Sequence, residues 1–485
     1  MSAARTSSTG QVVVVGAGIA GLAAAHRLVT RGARVTVLEA ARRLGGKLQV
    51  AEMEGVRFDL GAESMLARRP EAVDLAREVG LGDRLQPPAT AAASIWTRGA
   101  LRPMPKGHVM GVPGTADALT GVLSDEGLAR VGRDADLPRT ETGDDVAVGE
   151  YVAARLGREV VDRVVEPLLG GVYAGDAYRL SMRSTVPQLF EVARRHDSLT
   201  EAVREIQAKA AANRQTGPVF MGIEGGVGTL AHAVADSVTA HGGEILSGRP
   251  ATELRREAGG GWRVTAGDRV LHADTVVVAV PAPVAAGLLA AESPAAAAEL
   301  RAIEYASMAL VTLAYRRGEV SLPDGSGFLV PPVDGRSIKA STFSFRKWRW
   351  SAEENPDVVM VRTSVGRYGE TEILQREDAH LVEVSRQDLK AATGLDATPL
   401  RTHVTRWTDG LPQYPVGHHA RVARIREHVA KLPGLAVCGA QYDGVGIPAC
   451  IASAYAAVDW LGGDPSGVQQ LTAHPVQSLH GGAGE

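Results

Sequence analysis

The sequence predicts an α/β protein built on a parallel sheet, and three consecutive features carry this prediction. Residues 12–15 are four valines, which is typical of a strand buried on both faces. The glycine-rich turn at 16–21 follows directly and leads into a helical pattern at 22–30. A second short strand at 34–38 then ends at Glu39. This strand–turn–helix–strand order is the βαβ unit of a Rossmann-like dinucleotide-binding fold.

The remaining elements follow from hydrophobic periodicity and from the positions of glycine and proline. Helices are predicted at 70–79, 148–168, 184–212, 229–241 and 448–460, with Pro187 interrupting the third, and an exposed loop or linker at 124–145. Short strands are predicted at 244–246, 252–254, 262–266, 275–280, 302–315, 358–363 and 435–438. The polar residues after Gly462 are predicted to be mobile.

Strands of nucleotide-fold character occur at the start, in the middle and near the end of the chain. One domain is therefore expected to be assembled from separated segments. The predicted divisions are a dinucleotide-binding domain from 11–90, 216–285 and 426–463, a helical insertion of the substrate region at 91–215, a mixed-sheet substrate-binding domain at 286–425, and a mobile tail at 464–485. The fold class is thus α/β with α+β character.

Composition excludes several classes of function. The 485 residues carry 52 Lys plus Arg against 55 Asp plus Glu, and a net charge of −3 gives no general attraction to nucleic acid. Two cysteines cannot form a disulfide framework or a cysteine-rich metal site, and they fit a reducing cytoplasm. No apolar run approaches the roughly 20 residues of a membrane span. We expect a soluble cytoplasmic protein without a transmembrane segment, in which a surface helix between 148 and 212 is a candidate for peripheral membrane contact.

Each glycine of the first motif has a physical role. Gly16 permits the tight turn, Gly18 lets the backbone approach a pyrophosphate, and Gly21 lets the helix pack on the strand. The helix start offers unpaired N–H groups and the positive end of its dipole to phosphates. Glu39 lies 18 residues after Gly21, close to the expected position of the acid that binds a ribose hydroxyl. A carboxylate there disfavours NADP, because it would repel a 2′-phosphate.

A second glycine pair distinguishes FAD from NAD. The stretch RRLGGK at 42–47 follows the ribose acid by a few residues and resembles the extended dinucleotide signature of FAD-containing oxidases and desaturases. Two more glycines would bring the backbone close to the same pyrophosphate, while Lys47 and the arginines add positive charge.

Four further blocks carry a more specific resemblance: FDLGAES (58–64), EPLLGGVYAGD (166–176), LPQYPVGH (411–418) and GAQYDGVGIP (439–448). With the segment at 39–47 they span nearly the whole chain. The chain resembles the flavin-dependent protoporphyrinogen/coproporphyrinogen oxidases of haem biosynthesis. The resemblance implies a Rossmann-like FAD-binding domain of the amine-oxidase/glutathione-reductase type, with a mixed-sheet substrate domain and a helical insertion.

The resemblance also implies which residues bind non-covalent FAD. By position they are Gly16, Ala17, Gly18, Ile19, Ala20, Gly21, Glu39, Ala40, Arg43, Lys47, Gly61, Ala62, Glu63, Ser64, Ala251, Trp407, Val445, Gly446 and Ile447. Ala251 stands where the family usually has valine at the adenine end, and Trp407 and 445–447 fall near the isoalloxazine ring. Independently, Pro448 suits the first turn of a helix, so the N–H groups there would face negative charge on a reduced flavin.

The substrate implied by the resemblance is coproporphyrinogen III, which carries four carboxylates on a large apolar tetrapyrrole. Its pocket needs apolar walls and cations at the rim, and Arg68 and Arg69 are the candidate substrate-binding residues. Ala93 stands where some plant and animal relatives place a propionate-binding arginine. The implied reaction transfers hydride from a bridging methylene carbon to flavin N5, so no protein residue is expected to be catalytic. Three such cycles, with oxygen reoxidising the flavin, would give coproporphyrin III.

Other interpretations stay open. Protoporphyrinogen IX is the alternative substrate, and coproporphyrinogen III is favoured because a soluble chain with these motifs is similar to the GC-rich bacterial branch. A flavin amine oxidase is a further alternative, although aromatic residues for an amine cage make up only 4% of the chain. A non-enzymatic flavin-binding partner of another haem enzyme is the third, and transient contact with ferrochelatase is compatible with catalysis. The pair His418-His419 is interpreted as a turn, and no metal site is expected.

Overall fold

The computed structural model describes residues 10–212 and 217–463, and the predicted tail at 464–485 lies outside them. The first strands are β1 (Gln11–Val15), β2 (Arg34–Leu38), β3 (Val50–Met53), β4 (Val56–Asp59), β5 (Met65–Leu66), β6 (Leu85–Gln86), β7 (Ser94–Thr97), β8 (Ala100–Pro103), β9 (His108–Val109) and β10 (Val112–Pro113). The middle strands are β11 (Phe220–Ile223), β12 (Glu244–Leu246), β13 (Ala251–Arg256), β14 (Trp262–Ala266), β15 (Arg269–Ala273) and β16 (Thr275–Val278). The last strands are β17 (Tyr305–Arg316), β18 (Gly327–Leu329), β19 (Ile338–Phe343), β20 (Val358–Val365), β21 (Arg401–Pro412) and β22 (Leu435–Val437).

The helices occur in three groups along the chain. The first are α1 (Ile19–Thr30), α2 (Pro70–Glu78), α3 (Asp125–Gly132), α4 (Val148–Leu156), α5 (Arg158–Val160), α6 (Glu166–Tyr173), α7 (Met182–Thr185), α8 (Pro187–Ala193) and α9 (Leu199–Ala212), with a π-helical turn at Val161–Val165. The middle helices are α10 (Thr229–Ala240), α11 (Ala282–Leu289), α12 (Pro294–Arg301), α13 (Ser344–Lys347) and α14 (Arg349–Glu354). The last are α15 (Asp378–Thr393), α16 (His418–Val429) and α17 (Ile447–Leu461). Within the described residues, no helix combines the length and apolar character needed to cross a bilayer.

A five-stranded parallel sheet with the order β12-β2-β1-β16-β22 confirms the predicted Rossmann-like fold class. The valines of β1 are buried on both faces, and Val13 lies between Val276 and Thr36 of the neighbouring strands. Helices α1, α10 and α17 cover one face of this sheet, and α11, α12 and α16 cover the other. Its strands come from the start, middle and end of the chain, while the domain limits given above stay a prediction.

A seven-stranded mixed sheet has the order β21-β17-β20-β19-β18-β7-β8 and contains one parallel pair, β7 with β18. Residues of α15 pack on one face of it, together with Val311 and Val361. The opposite face meets the β3–β4 hairpin through Ala314 and Met360. This second face is therefore turned towards the segment that links the parallel sheet to β5, where the candidate site lies.

The helical insertion, α3 to α9, encloses a core of its own. The exposed loop predicted at 124–145 is wrong, because α3 begins there with the Ser124 hydroxyl accepting a hydrogen bond from the Gly127 N–H at 3.1 Å. Further on, Asp134 and Arg155 form an ion pair in which both side chains are only 1% exposed. The acidic composition of this segment predicted exposure to solvent. Asp134 is instead buried, and its carboxylate also accepts hydrogen bonds from Ser198 and Thr200.

Other differences have local causes. Pro187 begins a separate helix, so the predicted helix at 184–212 is three helices, α7, α8 and α9. Helix α15 and strand β21 were not predicted, since β21 is a largely exposed edge strand whose polar residues hide its alternation. The turn predicted at His418-His419 is also wrong, because His418 starts α16 and stacks on Tyr414 with ring centroids 4.1 Å apart.

Candidate active site

The glycine turn after β1 divides into packing positions and an open position. A Cβ on Gly16, whose φ is +105°, would come within 2.5 Å of the Ala279 carbonyl oxygen, and a Cβ on Gly21 within 1.8 Å of the Gly16 carbonyl oxygen. A Cβ on Gly18 would meet nothing within 4 Å. Gly16 and Gly21 therefore close the turn against the sheet, while Gly18 faces space that a ligand can enter.

Helix α1 begins at this open position without a side-chain cap. Its N-cap residue is Gly18, and its first turn contains no acidic residue. The first backbone N–H groups of a helix have no partner within the helix and carry the positive end of its dipole. Ile19 and Ala20 thus lie at a helix start that can bind an anion through backbone, whereas the N–H of the preceding Ala17 donates to the Glu39 carboxylate.

The second glycine pair packs directly on the first turn. The Gly45 N–H donates to the Ala17 carbonyl oxygen at 2.9 Å, and a Cβ on Gly46 would lie 3.1 Å from the Gly18 Cα. Arg43 donates to the Gly46 carbonyl oxygen at 2.9 Å. Lys47 follows, open to solvent yet flanked by protein, and its partial desolvation lowers the pKa of the ammonium. The two glycine segments and one cation therefore form a single cradle.

Glu39 orders the edge of this cradle. Its carboxylate accepts the N–H groups of Ala17 and Ala41, each at 2.8 Å. Its backbone carbonyl accepts the Arg249 N–H at 2.8 Å, which holds the start of β13 alongside. Glu39, the exposed Ala40 and the half-buried Ala251 are thus brought to one edge of the parallel sheet. Two hydrogen bonds leave the carboxylate with lone pairs for further donors.

The segment 59–63 is fixed by buried charges. Glu63, 9% exposed, forms ion pairs with Lys347 at 2.6 Å and with Arg362 at 2.9 Å. Burial alone would raise the pKa of Glu63, but Arg362 and Lys347 outweigh it and hold the pKa below its usual range. Arg362 also donates to the Gly61 carbonyl oxygen at 2.8 Å. The Glu63 carboxylate is therefore engaged by protein, and the half-buried to exposed stretch Gly61, Ala62 and Ser64 presents mainly backbone.

Asp59 anchors the start of the same segment. Its carboxylate accepts the N–H groups of Val227 and Gly228 at 3.0 and 2.9 Å. Complete burial raises the pKa of Asp59 to about 7, and the two backbone hydrogen bonds and Arg362 limit the rise. Asp59 thus joins two chain segments of the parallel-sheet region.

Trp407 bridges the mixed sheet and the cradle. Its indole N–H donates to the Leu60 carbonyl oxygen at 2.7 Å, and its ring would lie 3.7 Å from a Cβ on Gly61. That same Cβ would lie 2.5 Å from the Lys47 carbonyl oxygen. Trp407, Gly61 and Lys47 are therefore neighbours.

Helix α17 begins opposite, at the boundary with the helical insertion. Gly446 is the N-cap without a side-chain hydrogen bond, and Pro448 occupies the first turn. Val445 packs against the core of the helical insertion, Gly446 is exposed and Ile447 is buried. Pro448 has no N–H, so the N–H groups of Gly446, Ile447 and Ala449 form a second positive helix end, in addition to that of α1.

Arg68 and Arg69 differ in their environments. The Arg69 guanidinium pairs with Glu71 at 2.7 Å, and its charge acts on Cys450, near Lys47. The buried Nε of Arg68 has no hydrogen-bond partner among the described residues, and burial lowers the pKa of its guanidinium. Of the two, Arg68 has the free hydrogen-bonding capacity.

Sequence reasoning missed Lys347 and Arg362, which hold Glu63, and Lys339 on the same sheet. Lys339 and Lys347 belong to a set of only seven lysines, and Lys339 follows an isoleucine within a strand pattern. No strand was predicted at 338–343, and the available signal was a lysine beside isoleucine in a stretch that also contains threonine and phenylalanine, since a lysine is seldom buried without a purpose.

Comparison with known proteins agrees with this geometry. The profile of the flavin containing amine oxidoreductase family matches residues 19–460. The coproporphyrinogen III oxidase of Mycobacterium tuberculosis is 37% identical over 452 residues, covering 92% of this chain and 96% of that protein. The chain belongs to the porphyrinogen oxidases of the flavin containing amine oxidoreductase family. It is thus a flavin-dependent oxidoreductase, and the predicted family is confirmed.

This porphyrinogen oxidase is also similar to a mammalian protein and to a bacterial protein of known structure. The protoporphyrinogen oxidase of Bos taurus is 31% identical over 485 residues, covering 94% of this chain and 99% of that protein. A crystal structure from Exiguobacterium sp. 255-15, assigned as a protoporphyrinogen oxidase, superposes with a TM-score of 0.82 at 34% identity and covers 94% of this chain and 99% of that one. Both protein names refer to porphyrinogen chemistry.

Proposed function

We propose that this porphyrinogen oxidase uses FAD and oxygen to convert coproporphyrinogen III to coproporphyrin III in haem biosynthesis. The observation that carries the proposal is the 37% identity to a coproporphyrinogen III oxidase over 92% of the chain. The cradle of two glycine segments, two helix starts and Glu39 is an independent support, because its shape and charge suit a dinucleotide.

In this proposal FAD lies along the whole cradle. A diphosphate at the open face of Gly18 would receive the N–H groups of α1 and the charge of Lys47, while Glu39 would accept ribose hydroxyls. The edge at Ala40 and Ala251 leaves room for the adenine. The flavin ring would then extend towards Trp407 and the start of α17. All the residues assigned by resemblance to FAD take part in this proposal, with Glu63 acting through its backbone and through its ion pairs.

Non-covalent binding is favoured by the state of the two cysteines. Cys438 and Cys450 are both buried, and both are free thiols. Burial raises the pKa of the Cys450 thiol to about 11 and that of Cys438 higher still. A thiol that stays protonated is a poor nucleophile, so neither cysteine is suited to attack a flavin ring.

The protein's own contribution is binding and orientation. Bound flavin supplies the acceptor for hydride from a bridging methylene carbon of the substrate. The unpaired N–H groups at the start of α17 would stabilise negative charge that develops near them. The pocket must also hold the tetrapyrrole, and Arg68 and Arg69 are the proposed carboxylate ligands. Arg68 has the stronger support, because its buried Nε has no hydrogen-bond partner in the part of the chain that the structure describes, whereas Arg69 pairs with Glu71.

The electron acceptor, the cellular location and a partner protein complete the proposed function. Oxygen would be the final acceptor of electrons, and coproporphyrin III the product. We propose that the enzyme acts in the cytoplasm, where free thiols persist, with peripheral membrane contact as an accessory property. A reactive porphyrin is better transferred than released, so transient contact with ferrochelatase would fit this role.

Protoporphyrinogen IX oxidation is the second candidate, because the bovine relative and the Exiguobacterium structure carry that name. The two functions are separated by measuring aerobic turnover of both porphyrinogens side by side through porphyrin fluorescence. We expect kcat/KM to favour coproporphyrinogen III by at least tenfold. A preference for protoporphyrinogen IX would select the second candidate, and no porphyrin from either substrate would overturn both.

A further inference from the structure

A lysine amine is buried in the mixed sheet without an anionic partner. Lys339 in β19 is 5% exposed, and the only hydrogen-bond partner of its Nζ in the described chain is the Met308 sulfur at 3.9 Å. The nearby Lys347, by contrast, pairs with Glu63 at 2.6 Å. Burying an ammonium group without a counter-ion is costly, and such groups occur where a ligand or a reaction uses them.

A β-bulge directs Lys339 to the face that carries the candidate site. Along β19 and β20, Ile338 pairs with Val365 and Ala340 pairs with Ser364, so Lys339 is the extra residue between them. Ile338 and Val365 lie in the core beneath α15. The Lys339 side chain instead crosses β20 to reach Met308 on β17. Bulges commonly re-aim a side chain in this way beside active sites.

Met308 places this amine relative to the cofactor cradle. Met308 lies directly opposite Trp407 in the pairing of β17 with β21, and directly paired residues project from the same face of a sheet. Trp407 in turn contacts Leu60 and the neighbourhood of Gly61. Lys339, Met308 and Trp407 therefore share the sheet face that looks towards the proposed flavin ring.

The described residues cover this part of the sheet face only partly. Met308, Ala340 and Leu329 are half-buried, although they belong to the interior strands of a seven-stranded sheet. At its border, a Cβ on Gly171 of α6 would lie 3.8 Å from the Leu329 side chain. The helical insertion thus borders an open, largely apolar area, which is the surface that a flat tetrapyrrole needs.

The charges around Lys339 leave its amine available. Arg367 repels it, and Glu370, which is exposed, attracts it weakly. Glu166 of α6 interacts with the same Arg367, but its carboxylate accepts the Ala177 N–H. Desolvation, followed by Arg367, lowers the pKa of Lys339 to about 7. A carboxylate arriving from a ligand would supply the missing counter-charge and raise that pKa again.

We propose that Lys339 is a substrate-binding residue whose ammonium group pairs with one carboxylate of the porphyrinogen on the inner wall of the pocket. The inference rests on the proposed function. It adds an interior carboxylate ligand to the rim arginines Arg68 and Arg69, and it couples substrate binding to proton uptake by the enzyme above neutral pH.

The test is equilibrium binding of coproporphyrin III, the proposed product, to the FAD-loaded enzyme, followed by fluorescence. Lys339→Met keeps the length of the side chain and removes its charge, and Lys339→Gln is a second variant. The control is Lys390→Met, because Lys390 is an exposed lysine on α15, on the other side of the mixed sheet, and pairs with Asp396 just after that helix. We expect Kd to rise about tenfold or more in both Lys339 variants and to stay unchanged in the control.

The pH dependence of Kd gives a readout that a packing role would not move. In the wild-type enzyme, binding should weaken from pH 7 to pH 9, because free Lys339 loses its proton there, while Lys339→Met should show a flatter profile. If wild-type binding does not weaken with pH, or if the Kd of the Lys339 variants lies within twofold of the wild-type Kd, the inference about Lys339 is overturned while the proposed function stands. Wild-type enzyme that binds no coproporphyrin III would instead count against the proposed function.

Discussion

The two sheets contribute different kinds of groups to the candidate site: the parallel sheet contributes mainly backbone groups, and the mixed sheet contributes side chains. At the edge of the parallel sheet, the proposed ligand contacts are backbone N–H groups, glycines and helix starts, and Glu39 is the main side chain. On the mixed sheet, the proposed ligand contacts are the side chains of Trp407 and Lys339, while Arg362 holds the 59–63 segment in place. Backbone donors are preserved through most substitutions, whereas side-chain donors change with every one. This difference fits the proposal that the first region recognises the cofactor and the second determines the choice of substrate.

Substitution at Gly21 and Gly18 tests the backbone-built region most strongly. Gly21→Ala should destabilise the protein by about 3 kcal/mol or more, or prevent folding, because its Cβ would overlap the Gly16 carbonyl oxygen. Gly18→Ala should change stability by less than about 0.5 kcal/mol yet weaken FAD binding at least tenfold, because the methyl group enters the open space. Thermal unfolding and FAD titration of the apoprotein measure the two effects.

A Gly18→Ala protein that binds FAD as tightly as wild type would place the diphosphate elsewhere. A stable Gly21→Ala protein would show that α1 can move away from the sheet. Either result would break the distinction between packing glycines and the open glycine.

Substitution of Glu63 tests the side-chain region. Glu63→Gln should lower the free energy of unfolding by about 3 kcal/mol, because Lys347 and Arg362 lose their shared counter-charge in a buried site. The folded-state pKa of Glu63 is depressed, so the stabilisation is present above its unfolded pKa and is lost as pH falls below it. Urea unfolding at pH 7.5 with saturating FAD measures the effect.

The matched control is Lys390→Met, which removes an exposed ion pair and should change stability by less than about 0.5 kcal/mol. Equal stabilities of Glu63→Gln and wild type would mean that the 59–63 segment is held by its backbone contacts alone. The contrast between the two regions would then lose its physical basis.

An effect that depends on pH is expected at Glu166, where the helical insertion approaches the mixed sheet. Desolvation raises its pKa to about 7, so between pH 4.5 and pH 7 the folded protein binds more protons than the unfolded chain. Stability should fall as pH rises through that window. Glu166→Gln stays neutral and should exceed wild type by about 3 kcal/mol at pH 8, since each unit of pKa shift corresponds to about 1.4 kcal/mol, with no difference near pH 4. Urea unfolding at both pH values checks this, and a pH-independent difference would contradict it.

The two regions also differ in what their sequences reveal. Strand β1, the glycine turn and α17 could be predicted, because valine runs, glycine spacing and Pro448 report backbone geometry directly. The ion pairs of Glu63 join residues about 300 positions apart, and no local pattern encodes that proximity. Asp134 lies in an acidic stretch whose composition predicted a solvated loop. Its burial depends on the ion pair with Arg155, which the local sequence does not reveal. The bulge at Lys339 depends on the register of β19 with β20, which the sequence does not display.

The central claim is that this cradle positions a flavin against a porphyrinogen, and anaerobic single-turnover spectroscopy tests it most directly. The FAD-loaded enzyme is mixed with coproporphyrinogen III without oxygen, and the flavin absorption band near its visible maximum is followed. The account predicts that the band bleaches on mixing and returns, with porphyrin fluorescence, when oxygen is admitted. A flavin band that stays unchanged with both coproporphyrinogen III and protoporphyrinogen IX would contradict it.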